Sequence, residues 1–266
     1  MNTLSVSIIG HNEAHCLNRC FNSVKDADEI VYVDCESSDN SVEVARHYTS
    51  NIYTKENNPN LNVNKSFGFS KATKDWILYI DPDEIIPREL FDEIKHLLIS
   101  DPGYDGYYIP RKNHYFGKWL RWGAQYPDYQ LRLFRKGKGA FENLHVHEKI
   151  KIESKVGHLR NPMLHYPYET VSQFIRKFDF YTTFEANYLA QNSVNISLTS
   201  TVKRIIFRPF LRFFKRYFIK LGFLDGFPGL FAAFGDAAVS VTSYVKLWEL
   251  HKSKSGNKDK TGSENR

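Results

Sequence analysis

Cysteine is scarce in this chain: three residues in 266, at Cys16, Cys20 and Cys35. Their spacing lacks the paired pattern of a zinc site, and an odd count builds no disulfide framework. They read as reduced, packed thiols in a cytosolic setting. Phosphate-cradling glycine loops are missing as well. The turn after the first apolar run, Gly10-His-Asn-Glu13, carries one glycine. That falls short of the dinucleotide fingerprint, and no Walker A pattern occurs elsewhere. Any nucleotide must then be held by acids at strand ends and a metal ion. Leu4 to Gly10 is too short for a signal peptide and Glu13 follows closely, and no stretch is a clean transmembrane run. There is no internal repeat. Acids are absent from residues 201–222, which carry seven cations: Lys203, Arg204, Arg208, Arg212, Lys215, Arg216 and Lys220.

What is present is ordinary for a folded protein, with 42% hydrophobic and 25% charged residues. The length suits one large domain and an appendage. The formal net charge of +6 points to an anionic partner.

The stretch Trp76-Ile-Leu-Tyr-Ile-Asp-Pro-Asp-Glu84 organises the first half. Its apolar pentad reads as a strand buried on both faces of a parallel sheet, and it stops on three acids. Alternation along an extended chain puts Asp81 and Asp83 on one side, and Pro82 biases Asp81 toward an extended backbone. Open α/β sheets bind ligands beyond the carboxyl ends of their strands. Two acids there suit a divalent cation, Mg²⁺ or Mn²⁺, and such a cation suits a diphosphate. The competing reading is a solvated turn capping the next helix.

Around that strand the chain alternates. Strands are expected at Leu4–Gly10, Glu29–Asp34 and 51–54, with helices after Asn12, after Asn40, from Leu61 to Ala72 and from Pro87 to Leu98. This predicts an α/β fold with a mostly parallel sheet flanked by helices. After Pro102-Gly103 the alternation breaks down. Tyr107–Arg111 and Tyr129–Arg135 read as strands, separated by a loop rich in aromatic and basic residues. Val146-His-Glu148 and Leu164-His-Tyr166 are short histidine-bearing stretches, and Val171–Ala190 has helical periodicity.

Residues 202–223 mix Phe, Ile and Leu with cations, the composition of a helix lying on an anionic membrane surface. Pro209 is expected to start or kink it. The stretch 230–250 is largely apolar but holds Gly235, Asp236, Lys246 and Glu249, so an interfacial or re-entrant hairpin is favoured over a full span, with a helical cap on the catalytic domain as the alternative. Large aliphatics between the cations argue against a nucleic-acid groove. The expected organisation is a catalytic domain over 1–200, with a nucleotide half at 1–101 and an acceptor half at 102–200. A membrane-associating helical segment at 201–250 and a disordered tail at 251–266 follow.

Three motifs in order carry a resemblance: Ser7-Ile-Ile-Gly-His-Asn-Glu13, Asp28-Glu-Ile-Val-Tyr-Val-Asp-Cys-Glu-Ser-Ser-Asp39, and Trp76 to Glu84. They resemble the family 2 glycosyltransferases, which have the GT-A fold, use nucleotide-activated sugars and invert the anomeric centre. Pro127-Asp-Tyr-Gln-Leu-Arg-Leu-Phe134, Val146-His-Glu148 and residues 212–229 are similar to the subgroup that adds β-linked glucose to the inner core of bacterial lipopolysaccharide. The sequence departs from the family at Gly10-His11 and at Glu36, where glycine is usual.

The resemblance implies roles. Ile9, His11, Glu13 and Asp34 would line the nucleotide, with Asp34 accepting from base or ribose. Asp81 would face the ribose, and Asp83 would ligate the metal. Lys65 would reach the nucleotide or its phosphates, a solvated helix lysine being the alternative. Asp128 would be the base that deprotonates the acceptor hydroxyl, with Glu148 in reserve; otherwise Asp128 simply pairs with Arg132 or Arg135. Gln130 and Arg132 would contact diphosphate or acceptor phosphate. His147 would be a further metal ligand, and His165 a weaker candidate. The implied partners are a UDP-hexose donor, a saccharide or glycolipid acceptor and an anionic membrane, placing the enzyme at the cytoplasmic face of the inner membrane. A metal-dependent nucleotidyltransferase or a non-catalytic nucleotide-binding membrane adaptor are the competing functions.

Overall fold

Five apolar residues, Trp76–Ile80, form the central strand β4, and both of its faces are buried. In the computed structural model, which describes residues 2–100, 103–141 and 150–263 (side chains as far as Ser253), this strand joins β1 (Leu4–Gly10), β2 (Glu29–Asp34) and β3 (Ile52–Thr54). All three pairings are parallel, in the order β3-β2-β1-β4. Connecting them are α1 (Ala14–Val24), α2 (Ser41–Arg46) and α3 (Leu61–Lys71). The register sets Gly10 beside Asp34 and Ile8 beside Ile80, so β1 and β2 end level and β4 stops two residues earlier. Gly10 is needed there, since a Cβ would lie 2.9 Å from the Tyr32 hydroxyl and 3.5 Å from Pro82.

Beyond β4 the sheet changes direction. After β5 (Glu84–Ile85) and α4 (Arg88–Ile99) come β6 (Gly106–Tyr115), β7 (Lys118–Trp119), β8 (Asp128–Arg135), β9 (Val156–His158) and β10 (Met163–Tyr168). β8 runs antiparallel to β4 and to β6, and β10 runs antiparallel to β5. The sheet is therefore mixed: the strands of the alternating stretch pair parallel, and beyond them the short β9 also pairs parallel with β6.

The two faces of β4 carry separate cores. Trp76, Leu78 and Ile80 pack with Leu17 and Phe21 of α1 and Leu90, Phe91 and Ile94 of α4. Ile77 and Tyr79 pack with Phe69, Phe134 and Phe141. All three cysteines are free and buried.

The chain divides into two compact units, residues 1–113 with 127–166, and residues 114–126 with 167–266. This differs from the boundary expected at residue 200. In the second unit α5 (Val171–Gln191) packs with the C-terminal helices, where Leu189 joins Tyr244 and Leu247 in a common core. The amphipathic face of α5 is buried there, so it cannot belong to the first unit alone.

The basic stretch is helical, comprising α6 (Leu198–Val202) and α7 (Arg208–Phe214) with a π-helical turn after each, Lys203–Phe207 and Lys215–Ile219. Pro209 lies at the start of α7. It has no N–H to donate, and the turn before it is widened. A short 3₁₀ turn, Gly222–Asp225, leads into α8 (Gly226–Ser263). The helix continues past His251, where disorder was expected, because extending an existing helix adds one bond per residue fixed. Asp236 is paired with Arg212 at 2.7 Å and Arg216 at 2.9 Å, and Lys246 with Asp179 at 2.7 Å. Among the described residues one helical segment, Gly222–Ser253, is long and apolar enough to cross a membrane by length and composition.

Phe134 has no exposed surface and meets the rings of Phe69 and Tyr79. Truncating it to alanine should cost about 3–5 kcal/mol in urea denaturation. A loss under about 1 kcal/mol would contradict this packing.

Candidate active site

The acids after β4 do not stay extended. The Glu84 N–H donates to the Asp81 carbonyl at 2.9 Å, closing a turn with Pro82 at its second position. Asp81 and Asp83 therefore do not share one face of an extended chain, and the turn is not solvated. Glu84, singled out only as the last acid of the run, is fully buried, and its side chain accepts from the Asp81 N–H at 3.0 Å.

Two arginines balance these acids. Arg132 on β8 is 3% exposed and reaches Asp81 at 2.7 Å and Glu84 at 2.5 Å. Its guanidinium also lies over the Tyr79 ring, 4.2 Å from the centroid. The antiparallel register of β4 and β8, Leu78 beside Leu133, brings it there. It is thus turned inward to carboxylates, not outward to a phosphate as expected. Arg111 on β6 reaches Glu84 at 3.1 Å and Asp128 at 2.7 Å, and Arg111 and Asp128 are direct cross-strand neighbours. Lys65 on α3 pairs with Asp81 at 3.0 Å, so it is not a solvated helix lysine.

Asp128 is held on every side. Its Oδ2 accepts from Arg111 Nε at 2.9 Å and from Asn113 Nδ2 at 3.3 Å, and its Oδ1 accepts from Gln130 at 2.7 Å. Burial pushes its carboxyl up, but the Arg111 guanidinium outweighs this and holds it below the usual range. It does not pair with Arg132 or Arg135. Asp81 behaves similarly: burial raises it, and the Lys65 ammonium with the Arg132 guanidinium brings it well below.

Asn113 links this network to the other acid of the turn. Its Oδ1 lies 2.7 Å from His165 Nδ1, and His165 Nε2 lies 3.6 Å from Asp83 Oδ1. With the proton on Nδ1, the Nε2 lone pair faces the Asp83 carboxylate. A carboxylate and an oriented imidazole form a donor set that fits a divalent cation and leaves positions for phosphate oxygens. His147 and Glu148 lie outside the described residues.

The nucleotide candidates gather at the ends of β1 and β2. Ile9 packs with Val33 and Cys35. His11 Nδ1 is 2.6 Å from the Cys35 carbonyl, and the Glu13 N–H donates to Ser41 at 2.9 Å. Asp34 is 3% exposed; one oxygen accepts from the Ser37 N–H at 3.1 Å, and the other is buried with no partner among the described residues. Glu13, His15 and Cys16 also cluster closely. Burial and the neighbouring Glu13 and Asp83 carboxylates push the Cys16 thiol far above its usual range, which disfavours it as a thiolate ligand.

One network thus unites Lys65, Asp81, Glu84, Arg132, Arg111, Asp128, Gln130, Asn113, His165 and Asp83. Arg111, Glu84 and Asn113 were not singled out for roles in the sequence. A charged residue inside an otherwise strand-forming run was the available signal for Arg111.

The family model for "Glycosyl transferase family 2" matches residues 5–154, more than half of the chain. The chain belongs to this family. It is a glycosyltransferase, and its mixed sheet with flanking helices is the GT-A arrangement. An uncharacterized glycosyltransferase of Rickettsia felis is 30% identical over 95% of this chain and 91% of its own length. The lipopolysaccharide core biosynthesis glycosyltransferase LpsC of Rhizobium meliloti is 26% identical, covering 93% of each chain. Among solved structures, S. aureus TarS (residues 1–349) in complex with UDP-GlcNAc aligns with a TM-score of 0.48 at 16% identity, over 90% of this chain and 81% of that one.

The glycosyltransferase's buried charges make a pH-dependent prediction. The Asp81 carboxyl is lower folded than its unfolded value of about 3.9, so its pairs stabilise the fold above that pH and are lost as pH falls through the folded value. Arg132→Met should cost about 3–5 kcal/mol near neutral pH, because two carboxylates lose their shared partner. The deficit should narrow as pH falls below about 4, through the folded value of Asp81, where the pairing is lost. A deficit that does not change with pH in denaturation curves would contradict the pairing.

Proposed function

We propose that this glycosyltransferase moves a hexose, glucose from UDP-glucose being the first choice, onto a lipopolysaccharide-core or other membrane-linked glycan, with inversion at the anomeric carbon. The observation that carries the reading is the fixed Asp128 carboxylate, joined through Asn113 and His165 to Asp83. A base for the acceptor and a cation-ligating pair for the leaving diphosphate then belong to one hydrogen-bonded frame.

In this reading the acceptor hydroxyl attacks the anomeric carbon as its proton passes to Asp128. The bond from that carbon to the diphosphate oxygen breaks, and the electron pair leaves with the nucleoside diphosphate. The low pKa of Asp128 keeps it ionised at neutral pH, ready to accept. Arg111, Asn113 and Gln130 fix its direction, which limits the motion needed to reach the hydroxyl. Asp83 and His165 would hold Mg²⁺ or Mn²⁺, whose role is to neutralise charge on the departing diphosphate. The unpartnered buried oxygen of Asp34 suits an N–H or hydroxyl donor from base or ribose.

Family membership favours sugar transfer over nucleotidyl transfer, and the intact acid set favours an enzyme over an adaptor. The helices of the second unit support a peripheral association with an anionic membrane at the cytoplasmic face. Phe207, Phe210, Leu211 and Ile219 are each about three-fifths exposed, amid seven cations and no acid over 201–222.

Release of UDP from UDP-glucose with Mn²⁺, compared across a panel of sugar nucleotides, tests the donor. Asp128→Asn should lower kcat by about 10²–10⁴-fold while the thermal shift given by UDP with Mn²⁺ is kept. Near-normal kcat would remove Asp128 from the role of base. Asp83→Ala and His165→Ala should each raise the Mn²⁺ concentration needed for that thermal shift by about 10–100-fold. An unchanged Mn²⁺ titration in both would reject the cation site.

A further inference from the structure

The loop between β7 and β8 is fastened to the turn before α8. Asp225, in that turn, is 4% exposed, and its two carboxylate oxygens accept the backbone N–H groups of Arg121 at 3.2 Å and Trp122 at 2.8 Å. Bonds from backbone amides to a buried carboxylate are of the stronger, charge-assisted kind. The next residue adds two more links. The Gly123 N–H donates to the Lys220 carbonyl at 2.7 Å, and Arg216 donates to the Gly123 carbonyl at 3.3 Å. A Cβ at Gly123 would sit 3.4 Å from Gly222 Cα, and Gly123 has φ +66°, so both the approach and the backbone favour glycine.

The clamp leaves a particular set of groups outside. Trp122 is 37% exposed and Arg121 is exposed on the loop, while Phe223 and Leu224 are exposed on the turn and Lys220 and Phe227 on either side of it. The Arg121 guanidinium lies 5.8 Å from the Trp122 ring. An indole ring favours the headgroup level of a bilayer, where its body is apolar and its N–H stays wet. A neighbouring cation there meets lipid phosphate. The surface continues into the seven-cation helical stretch, whose charge complements an anionic bilayer.

We infer that the β7–β8 loop and the turn before α8 form one lipid-headgroup-binding surface, with Trp122 and Arg121 as its anchors on an anionic phospholipid bilayer. This rests on the membrane association proposed above, and it adds a loop that lies far in sequence from the basic helices. The role of Asp225 is positional: it holds the two anchors on the turn.

The test uses the full-length protein with Trp248→Phe, which removes the other exposed indole. It is mixed with phosphatidylglycerol–phosphatidylcholine vesicles carrying brominated acyl chains, and both cosedimentation and tryptophan quenching are read. The expected result is quenching that disappears on adding Trp122→Phe, with cosedimentation kept. Arg121→Ala should weaken vesicle affinity about fivefold. Cosedimentation with quenching that Trp122→Phe leaves unchanged overturns the inference and spares the membrane reading. Absence of cosedimentation overturns both. Equal binding to pure phosphatidylcholine vesicles rejects an anionic partner, and a lipid-free dimer that shields Trp122 rejects a lipid one.

Discussion

Arg132 sits almost without solvent between two carboxylates, and the first unit is arranged around that fact. A guanidinium removed from water is costly unless its charge and hydrogen bonds are met. Asp81 and Glu84 meet its charge and bind Nη2, while Nε stays buried with no partner among the described residues; the turn at Pro82 delivers both acids to the same place, and the Tyr79 ring covers the guanidinium face. Because Glu84 also binds Arg111, and Arg111 binds Asp128, the position of one buried cation is passed along to the candidate base. The chain of charges alternates in sign from Lys65 to Asp128, so removing any one member leaves a neighbour exposed to an unbalanced field.

The strand ends supply the stage for this chemistry. Parallel pairing brings the carboxyl ends of β1, β2 and β4 to the same edge of the sheet, and antiparallel pairing then lays β8 and β6 alongside, carrying residues that a purely parallel unit would have placed elsewhere. A glycosyltransferase needs two kinds of group near one anomeric carbon: something to take a proton from the acceptor and something to hold the leaving diphosphate. The parallel part bears the acids Asp34, Asp81 and Asp83. The antiparallel part brings Asp128 and His165. The second unit has a separate core built on Leu189, Tyr244 and Leu247, while its outer helical faces keep their aromatic and basic residues.

The parallel half of the fold could be read directly from the chain. β1 and β2 have the bounds that their apolar runs suggest, because each run is short, buried on both faces and closed by a turn signal. Directions of pairing were less legible beyond residue 102, since an isolated strand-like run says nothing about its neighbour. The acids of the turn were visible but their shape was not: the residue before proline favours an extended backbone, and the pull of Arg132 on Glu84 together with the Asp81–Glu84 bond closes a turn instead. Arg111 escaped notice because a charge in a strand normally faces water, and its partners are 27 and 17 residues away. His165 looked like one histidine among several until its bond to Asn113 oriented it.

The chain holds two electrostatic systems that face different media. The Arg132 network lies under cover, where mobile ions do not enter and the Debye length of about 8 Å at physiological ionic strength has little bearing. Of the cations of residues 203–220, Arg212 and Arg216 pair with Asp236, while Lys203, Arg208, Lys215 and Lys220 are exposed and feel that screening. Added salt would therefore weaken any attraction of these cations to an anionic surface while leaving the geometry of the site intact. Under the proposed membrane association, residence at the bilayer would thus change with ionic strength independently of the site's geometry.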